Sequence, residues 1–211
     1  NGCTGTATSA ITVTGTAPVI TSTTATPGTI CPGSNSQLQV NLAGPAAYCT
    51  TSYSSGTGFG DYLSSVAIGG TTLNNSTVGA PSPFYTLYPA SGSTTAALVA
   101  NTAYVLTVVA GTYSVNDVAA WIDYNGDGVF TDATEKLGQV DNFGATPTSV
   151  NINFTVPIGA LNGPARLRVR EADQGGLIPA CGGLTYGEVE DYTITITGGA
   201  AAATYLWTPN T

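Results

Sequence analysis

The sequence has 211 residues, of which 4 are Lys or Arg, 12 are Asp or Glu, and none is His or Met. The net charge of −8 argues against binding to nucleic acids or anionic membranes, because both depend on clustered Lys and Arg. The absence of His excludes Ser-His-Asp and Cys-His catalysis and His-ligated zinc. Since 42% of the residues are hydrophobic and Val, Ile, Thr and Tyr abound, the chain is predicted to fold as β-structure.

The four cysteines, at positions 3, 31, 49 and 181, are far apart and form no CxxC pair. This spacing argues against a zinc cluster and favours disulfides in an oxidising, extracytoplasmic compartment. No basic signal segment opens the sequence and no apolar run is long enough to span a bilayer, so we expect no membrane insertion. We interpret the sequence as a mature, secreted segment of a longer protein.

Short alternating runs lie toward both ends of the chain, at 10–14, 37–42 and 203–209. They resemble strands of the Ig-like (PKD-like) repeats of long bacterial surface proteins, in rotated order. The resemblance implies that residues 1–17 are the last strand of one Ig-like unit and that 18–44 begin a second. An insert at 45–198 would interrupt this second unit, which resumes at 199–211. The alternative is that both flanks are linkers, given their Gly, Ser and Thr content.

The insert contains eight short β-favouring runs and no sustained helical periodicity. The runs are 62–68, 84–88, 104–109, 118–124, 136–140, 150–156, 165–170 and 191–196. Clusters of Gly, Pro, Asn and Ser separate them. This layout predicts an all-β fold: an antiparallel β-sandwich or jelly roll, flanked by partial Ig-like β-sandwich strands.

Residues 121–130, WIDYNGDGVF, place oxygen-bearing side chains at alternate positions and then a glycine, Gly128. This pattern is typical of a loop that binds a hard cation such as Ca²⁺. Position twelve is Thr134 and the flanks favour strands, so the loop differs from an EF-hand. The predicted ligands are Asp123, Asn125, Asp127, the backbone carbonyl of Val129, Asp132 and Glu135. The alternative is a polar hairpin turn.

Three of the four basic residues alternate with apolar ones along a single predicted strand, 165–170. Period-two geometry sends their guanidinium groups to one face, where acids have to oppose them. The segment 186–192 supplies such acids, and we predict cross-strand ion pairs between the two segments. The predicted set is Arg166, Arg168, Arg170, Glu188, Glu190 and Asp191. A separate interpretation is that Asp191 or Glu190 contributes to the cation loop.

Several motifs occur in a fixed order along the insert. They are Tyr48-Cys49, the 121–128 run, Glu135-Lys136, Val156-Pro157, the 166–170 run, Cys181 and the 187–192 run. This order resembles the GEVED domain, which is named for the pentapeptide at 187–191 and would cover roughly residues 45–198. The resemblance implies a β-rich accessory module of large secreted and surface proteins of Bacteroidota-type bacteria, without assigning a ligand.

The resemblance also implies a disulfide between Cys49 and Cys181, whereas the partners of Cys3 and Cys31 remain open. If the flanks belong to successive Ig-like repeats, these two cysteines pair with residues outside this sequence. Otherwise they pair with each other.

We therefore predict a non-catalytic structural and adhesive module of a long, repetitive, extracellular surface protein, stabilised by Ca²⁺ and a disulfide. Its predicted partners are neighbouring repeats or head-to-tail copies, with surface glycans or proteins as candidate ligands. A glycosidase is disfavoured, since the arginine strand would neutralise the acid pair Glu188 and Glu190. The alternatives are an accessory domain of a secreted protease and a carbohydrate-binding module. The candidate sugar-stacking residues are Tyr85, Tyr88, Tyr113, Tyr124 and Phe143.

Overall fold

The computed structural model describes residues 20–26, 37–42, 47–146, 148–173 and 175–201, and the chain divides into two compact units. The first unit comprises Asn1–Ala46 and Ala202–Thr211. Within it, strands β1 (Ile20–Thr26) and β2 (Gln37–Leu42) pair antiparallel.

The predicted strands at 10–14 and 203–209, and also Cys3 and Cys31, lie outside the described residues. The Ig-like assignment of the flanks therefore stays a prediction.

The second unit, Ala47–Ala201, contains the other strands of the described part of the chain. They are β3 (Thr51–Gly56), β4 (Leu63–Ile68), β5 (Asn74–Ser76), β6 (Tyr85–Leu87), β7 (Ala97–Val99), β8 (Ala103–Ala110), β9 (Asn116–Ile122), β10 (Lys136–Phe143), β11 (Ser149–Thr155), β12 (Gly163–Ala172) and β13 (Gly182–Thr197). A single 3-10 turn, Gly92–Thr94, accompanies them in the described residues, where no helix is long and apolar enough to cross a membrane.

These strands form two sheets in a sandwich-like arrangement, which confirms the all-β prediction. The smaller sheet has the antiparallel order β11-β8-β4-β5. The larger sheet has the order β10-β9-β12-β13, also antiparallel. Strand β13 has 16 residues, so its other edge accommodates β3, β6 and β7 one after another. These three pairings are parallel, in contrast to the predicted antiparallel layout.

A hydrophobic core fills the space between the two sheets. Strand β8 contributes Leu106 and Val108, and the central strands of the larger sheet contribute Ile122, Leu167 and Ile194, all fully buried. Each of these residues is separated from the next core residue of its strand by one position, as period-two geometry requires. Burial of this apolar surface is the main stabilising contribution to such a sandwich.

A second, smaller core covers the outer face of the larger sheet. We call it the outer-face cluster; it consists of Ala119, Trp121, Phe130, Ala172, Ile178 and Ala180. All seven residues of β9 are buried, because the main core covers one face of this strand and the outer-face cluster covers the other. The chain between β12 and β13 supplies Ile178 and Ala180, so it acts as a covering segment over the sheet.

Candidate functional site

The three arginines of β12 lie on the outer face of the larger sheet. In the β12–β9 ladder, Arg168 is opposite Trp121 and Arg170 is opposite Ala119, both members of the outer-face cluster. Arg168 and Arg170 are 1% and 0% exposed. Since a buried charge is costly unless it is paired or hydrogen-bonded, the groups around these guanidinium groups define the site.

Asp191 is the carboxylate partner of this strand. It lies directly opposite Arg168 and accepts two hydrogen bonds from it, Nε to Oδ1 at 2.8 Å and Nη2 to Oδ2 at 2.9 Å. Nη1 of Arg166 approaches Oδ2 of Asp191 at 3.4 Å, and the Tyr85 hydroxyl donates to the same oxygen at 2.9 Å. Of the predicted pairings, the structure therefore contains those of Arg166 and Arg168 with Asp191.

Arg170 is held by neutral acceptors, and the described residues give it no carboxylate partner. Its Nε donates to the Tyr53 hydroxyl at 2.7 Å. Its terminal nitrogens donate to the backbone carbonyls of Pro179 at 2.7 Å, Cys181 at 3.2 Å and Gly182 at 2.8 Å. The covering segment thus supplies carbonyl groups where the sequence predicted acids.

The prediction that Glu188 and Glu190 pair with the arginines is wrong. Both lie on the inner face of β13, whereas the β12–β13 register places Val189 and Asp191 opposite Arg170 and Arg168. Glu188 accepts hydrogen bonds from the backbone N–H groups of Leu63 and Ala80. Glu190 accepts hydrogen bonds from the hydroxyls of Tyr88 and Tyr192.

A disulfide joins Cys49 to Cys181, which confirms the pairing that the resemblance implied. The two Cα atoms are 5.7 Å apart, and the bond closes a loop with a sequence separation of 132 residues. The bond fixes both segments over Arg168, whose Nη1 donates to the carbonyls of Cys49 at 3.2 Å and Ala180 at 3.0 Å. The disulfide and the buried arginine therefore stabilise the same region.

The predicted cation loop follows β9, and its side-chain oxygens accept hydrogen bonds from the loop's own backbone. Asp123 accepts from Gly126 at 2.7 Å and from Gly128 at 3.0 Å. Asn125 accepts from the N–H of Asp127, whose carboxylate accepts from Val129 at 2.8 Å and from the Asn125 amide at 3.0 Å. The geometry therefore contains the features of a polar turn, which was the alternative interpretation.

Two acids, Asp132 and Glu135, were predicted to complete the cation shell, and only Glu135 hydrogen-bonds to the loop backbone. Glu135 accepts hydrogen bonds from the N–H groups of Tyr124 at 3.2 Å and Thr131 at 2.8 Å. Burial, and then the nearby charges of Asp123 and Asp127, raise the pKa of Glu135. Asp132 instead accepts a hydrogen bond from the indole N–H of Trp121 at 2.8 Å. Across the described residues, no three acidic or Cys side chains converge into a metal-binding group.

Tyr48 connects the loop to the arginine strand. Its hydroxyl donates to Asp123 at 2.7 Å, and its ring stacks on Phe130 with the centroids 5.2 Å apart. The guanidinium group of Arg166 lies 4.8 Å from the Tyr48 ring, and that of Arg168 lies 4.8 Å from Phe130. The tyrosines at 48, 53 and 85 were not predicted as hydrogen-bond partners, and the only local signal was the position of Tyr48 beside Cys49.

The carbohydrate-binding alternative depended on exposed aromatic rings. Tyr124 and Phe143 are 7% and 8% exposed and belong to the main core. Tyr88 stacks on Tyr192 at 5.0 Å, and its hydroxyl bonds to Glu190. These three rings therefore pack internally.

Gly187 opens the pentapeptide, and two independent features require a glycine there. Its φ is +124°, and a Cβ atom would clash with the carbonyl oxygen of Glu171 and with the Tyr53 ring. We expect Gly187→Ala to lower the free energy of unfolding by at least ~3 kcal/mol, because backbone strain and overpacking add. Chemical denaturation measures this loss.

Gly182→Ala is the matched control, since Gly182 has a φ of +82° in the same strand but open space around it. Its loss should be limited to about 1 kcal/mol from the backbone alone. Equal losses in the two variants would contradict the role of the close contact at Gly187.

Three buried carboxyl groups predict an unusual dependence of stability on pH. Burial raises the pKa of Glu188 to about 7 and that of Asp61 to about 6, and it raises the pKa of Glu171 well above its usual range. Each of these groups has a lower pKa in the unfolded chain, so the folded state binds more protons between these values. Stability contributed by the protonated groups is present at low pH and is lost as the pH rises through the folded pKa.

We therefore expect the melting temperature of the chain in EGTA to rise by roughly 5–10 °C between pH 8 and pH 5. Glu188→Gln should flatten this dependence, because it removes one of the titrating groups. A melting temperature that is highest at pH 8 would contradict the assignment.

Together, the sandwich and its disulfide indicate an extracytoplasmic β-module. Within it, residues 117–195 match the family model of the GEVED domain, so the chain contains a GEVED domain at these positions. This confirms the resemblance for the second half of the insert; residues 45–116 lie outside the match. No curated protein matches the chain in sequence.

Proposed function

We propose that the chain is a non-catalytic structural and adhesive module of a long, repetitive protein on a bacterial cell surface. The observation that carries this proposal concerns the pentapeptide Gly187–Asp191, the most recognisable motif of the domain: its side chains contact other groups of the protein. All five of its residues are buried. Glu188 and Glu190 accept internal hydrogen bonds on one face, and Asp191 pairs with Arg166 and Arg168 on the other.

Such an arrangement suits a scaffold better than a catalyst. A general acid or nucleophile has to reach a substrate, whereas the acids of this motif contact protein groups only. The sequence also has no His to act as a base. The disulfide supports secretion, because such bonds persist in oxidising compartments.

We further propose that Ca²⁺ stabilises the loop after β9. The donor set of Asp123, Asn125, Asp127 and Glu135 consists of oxygen atoms, which Ca²⁺ prefers. Each carboxylate oxygen has two lone pairs, so an oxygen that accepts one hydrogen bond keeps capacity for a cation. This holds for Oδ1 of Asp123 and for the oxygens of Asp127 and Glu135, whereas Oδ2 of Asp123 accepts from both Gly128 and Tyr48. Burial raises the pKa of Glu135 most, and the repulsion from Asp123 and Asp127 that adds to this rise favours a positive charge there. The Val129 carbonyl would complete the set, and Asp132 would remain on Trp121.

The proposed partners are neighbouring repeats of the same protein or head-to-tail copies of the chain, in which terminal strands complete Ig-like units and form a fibre. This part rests on the predicted Ig-like character of residues 1–44 and 199–211. Surface glycans or proteins are the proposed adhesive ligands.

Display of the full chain on a non-adherent bacterium tests the adhesive role. We expect displayed chains to increase cell–cell aggregation or attachment to glycan-coated or protein-coated surfaces, compared with cells that display an unrelated β-sandwich. Attachment and aggregation equal to this control would overturn the adhesive role. Retention on glycans that is lost in Tyr85→Ala would instead favour a carbohydrate-binding module.

A further inference from the structure

A cavity of about 200 Å³ lies in the second unit, next to the C-terminal end of the arginine strand β12. We call it the acidic cavity; it is lined by Phe59, Asp61, Tyr113, Asp173 and Tyr186. Three of these residues are aromatic and two are carboxylates. The cavity therefore combines ring surfaces with negative charge.

Backbone contacts bring two of these segments together. The N–H of Tyr113 donates to the carbonyl of Gly60 at 3.3 Å, and the N–H of Gly111 donates to the carbonyl of Tyr62 at 2.6 Å. Gly60 has a φ of +98°, and a Cβ there would clash with the Thr112 side chain. This close approach places the Tyr113 ring beside Asp61.

Asp61 is buried against the cavity with unmet hydrogen-bonding capacity. The residue is 1% exposed, and its Oδ1 has no hydrogen-bond partner. Burial, followed by the charge of Asp173, raises the pKa of Asp61 to about 6, so both effects oppose its negative charge. The charge of Asp173, then burial and the charge of Asp61, raise the pKa of the Tyr113 hydroxyl, which also hydrogen-bonds to Asp173.

A further carboxyl group lies close to Asp61. Glu171 is 0% exposed, and neither of its oxygens has a hydrogen-bond partner. Burial raises its pKa most, and Asp61 is the largest of the charges that add to this effect. Glu171 therefore adds a buried carboxyl group beside the cavity, whose own lining carboxylates are Asp61 and Asp173.

The chain itself supplies no cation to this charge. The sequence has four Lys and Arg residues, all within the described residues. Lys136 lies over the Trp121 ring and bonds to Gln139, and the arginines at 166, 168 and 170 bond around Asp191 and the covering segment. A compensating cation therefore has to come from another molecule. A second copy of this chain is a poor source, because its four basic side chains have the same internal partners.

We propose that the acidic cavity binds the ammonium or guanidinium group of a Lys or Arg side chain from a different partner protein. The cation would contact the unpartnered oxygen of Asp61 and the carboxylate of Asp173. The faces of the Tyr113 and Tyr186 rings would add cation–π contacts. Phe59, which is 67% exposed and meets Tyr186 edge to face at 5.4 Å, forms an apolar rim suited to a protein surface. This site is independent of the proposed Ca²⁺ loop.

Titration of the full chain in EGTA with Nα-acetyl-lysinamide and Nα-acetyl-argininamide tests this proposal, with NMR of the Tyr113 and Tyr186 rings as the readout. We expect saturable shifts of both rings with at least one probe. The neutral Nε-acetylated lysine analogue should leave them unchanged. Asp61→Asn should weaken binding about tenfold, because it removes one charge-assisted contact. Asp141→Asn, at an exposed acid elsewhere, should leave the affinity unchanged.

Asp173→Asn provides a second variant if the buried substitution prevents folding, since Asp173 is only half-buried. Equal shifts with the neutral analogue, or affinities that neither variant changes, would overturn the proposal. Ring shifts produced by Ca²⁺ alone would also overturn it in favour of a metal site. None of these results bears on adhesion or on the loop after β9.

Discussion

Replacing Asp191 with Asn is expected to lower the free energy of unfolding by about 3–5 kcal/mol. The substitution keeps the shape of the side chain but leaves Arg168, which is 1% exposed, as a buried cation without its counter-charge. It also weakens the contacts with Arg166 and the Tyr85 hydroxyl. Urea denaturation measures the loss. Asp141→Asn, at an exposed acid of β10, is the matched control and should change stability by less than ~0.5 kcal/mol.

A double variant separates the cost of a stranded charge from the net contribution of the pair. Replacing Arg168 with Met and Asp191 with Leu removes both charges, so it should destabilise less than the sum of the two single substitutions. Additive losses would show that the two side chains do not stabilise the fold as a pair.

Replacing both Cys49 and Cys181 with Ser should cost about 5 kcal/mol on the loop-entropy model, because the bond closes a loop with a sequence separation of 132 residues. Substitution is preferable to a reductant, since the sequence has two further cysteines at 3 and 31. Differential scanning calorimetry of the oxidised wild type and the variant measures the difference. A variant with the same melting temperature as the wild type would contradict a stabilising role of the disulfide.

Loss of the disulfide should also expose the arginines. Cys49 and Ala180 both accept hydrogen bonds from Arg168, and Cys181 accepts one from Arg170. We therefore expect faster amide exchange across the covering segment in the double Ser variant than in the wild type.

The eight strands predicted in the insert all overlap observed strands, because each combines β-favouring residues with period two. The sequence did not predict β3, β5 and β7. Strand β5 consists of Asn, Asn and Ser, a composition typical of turns. Strands β3 and β7 pair in parallel with β13, so contacts distant in sequence determine their conformation.

The arginine face was predictable from alternation, but the identity of its partners was not. A shift of one residue in register exchanges the two faces of a strand. Glu188 and Glu190 share a face, as predicted, yet the register turns that face inward and presents Asp191 to Arg168. The covering segment that satisfies Arg170 has no periodicity, so no local signal indicated it. The acidic cavity likewise combines four segments that only the tertiary fold brings together.

A thermal melt of the full chain in Ca²⁺ and in EGTA tests most directly whether this is a calcium-stabilised structural module. At about ten times the Kd, Ca²⁺ should stabilise the folded state by ~1.4 kcal/mol and raise the melting temperature by about 3–5 °C. Asp127→Ala should abolish this rise, and Asp141→Ala should retain it. A wild-type melting temperature that is the same in Ca²⁺ and in EGTA would contradict the account and leave residues 123–128 as a polar turn.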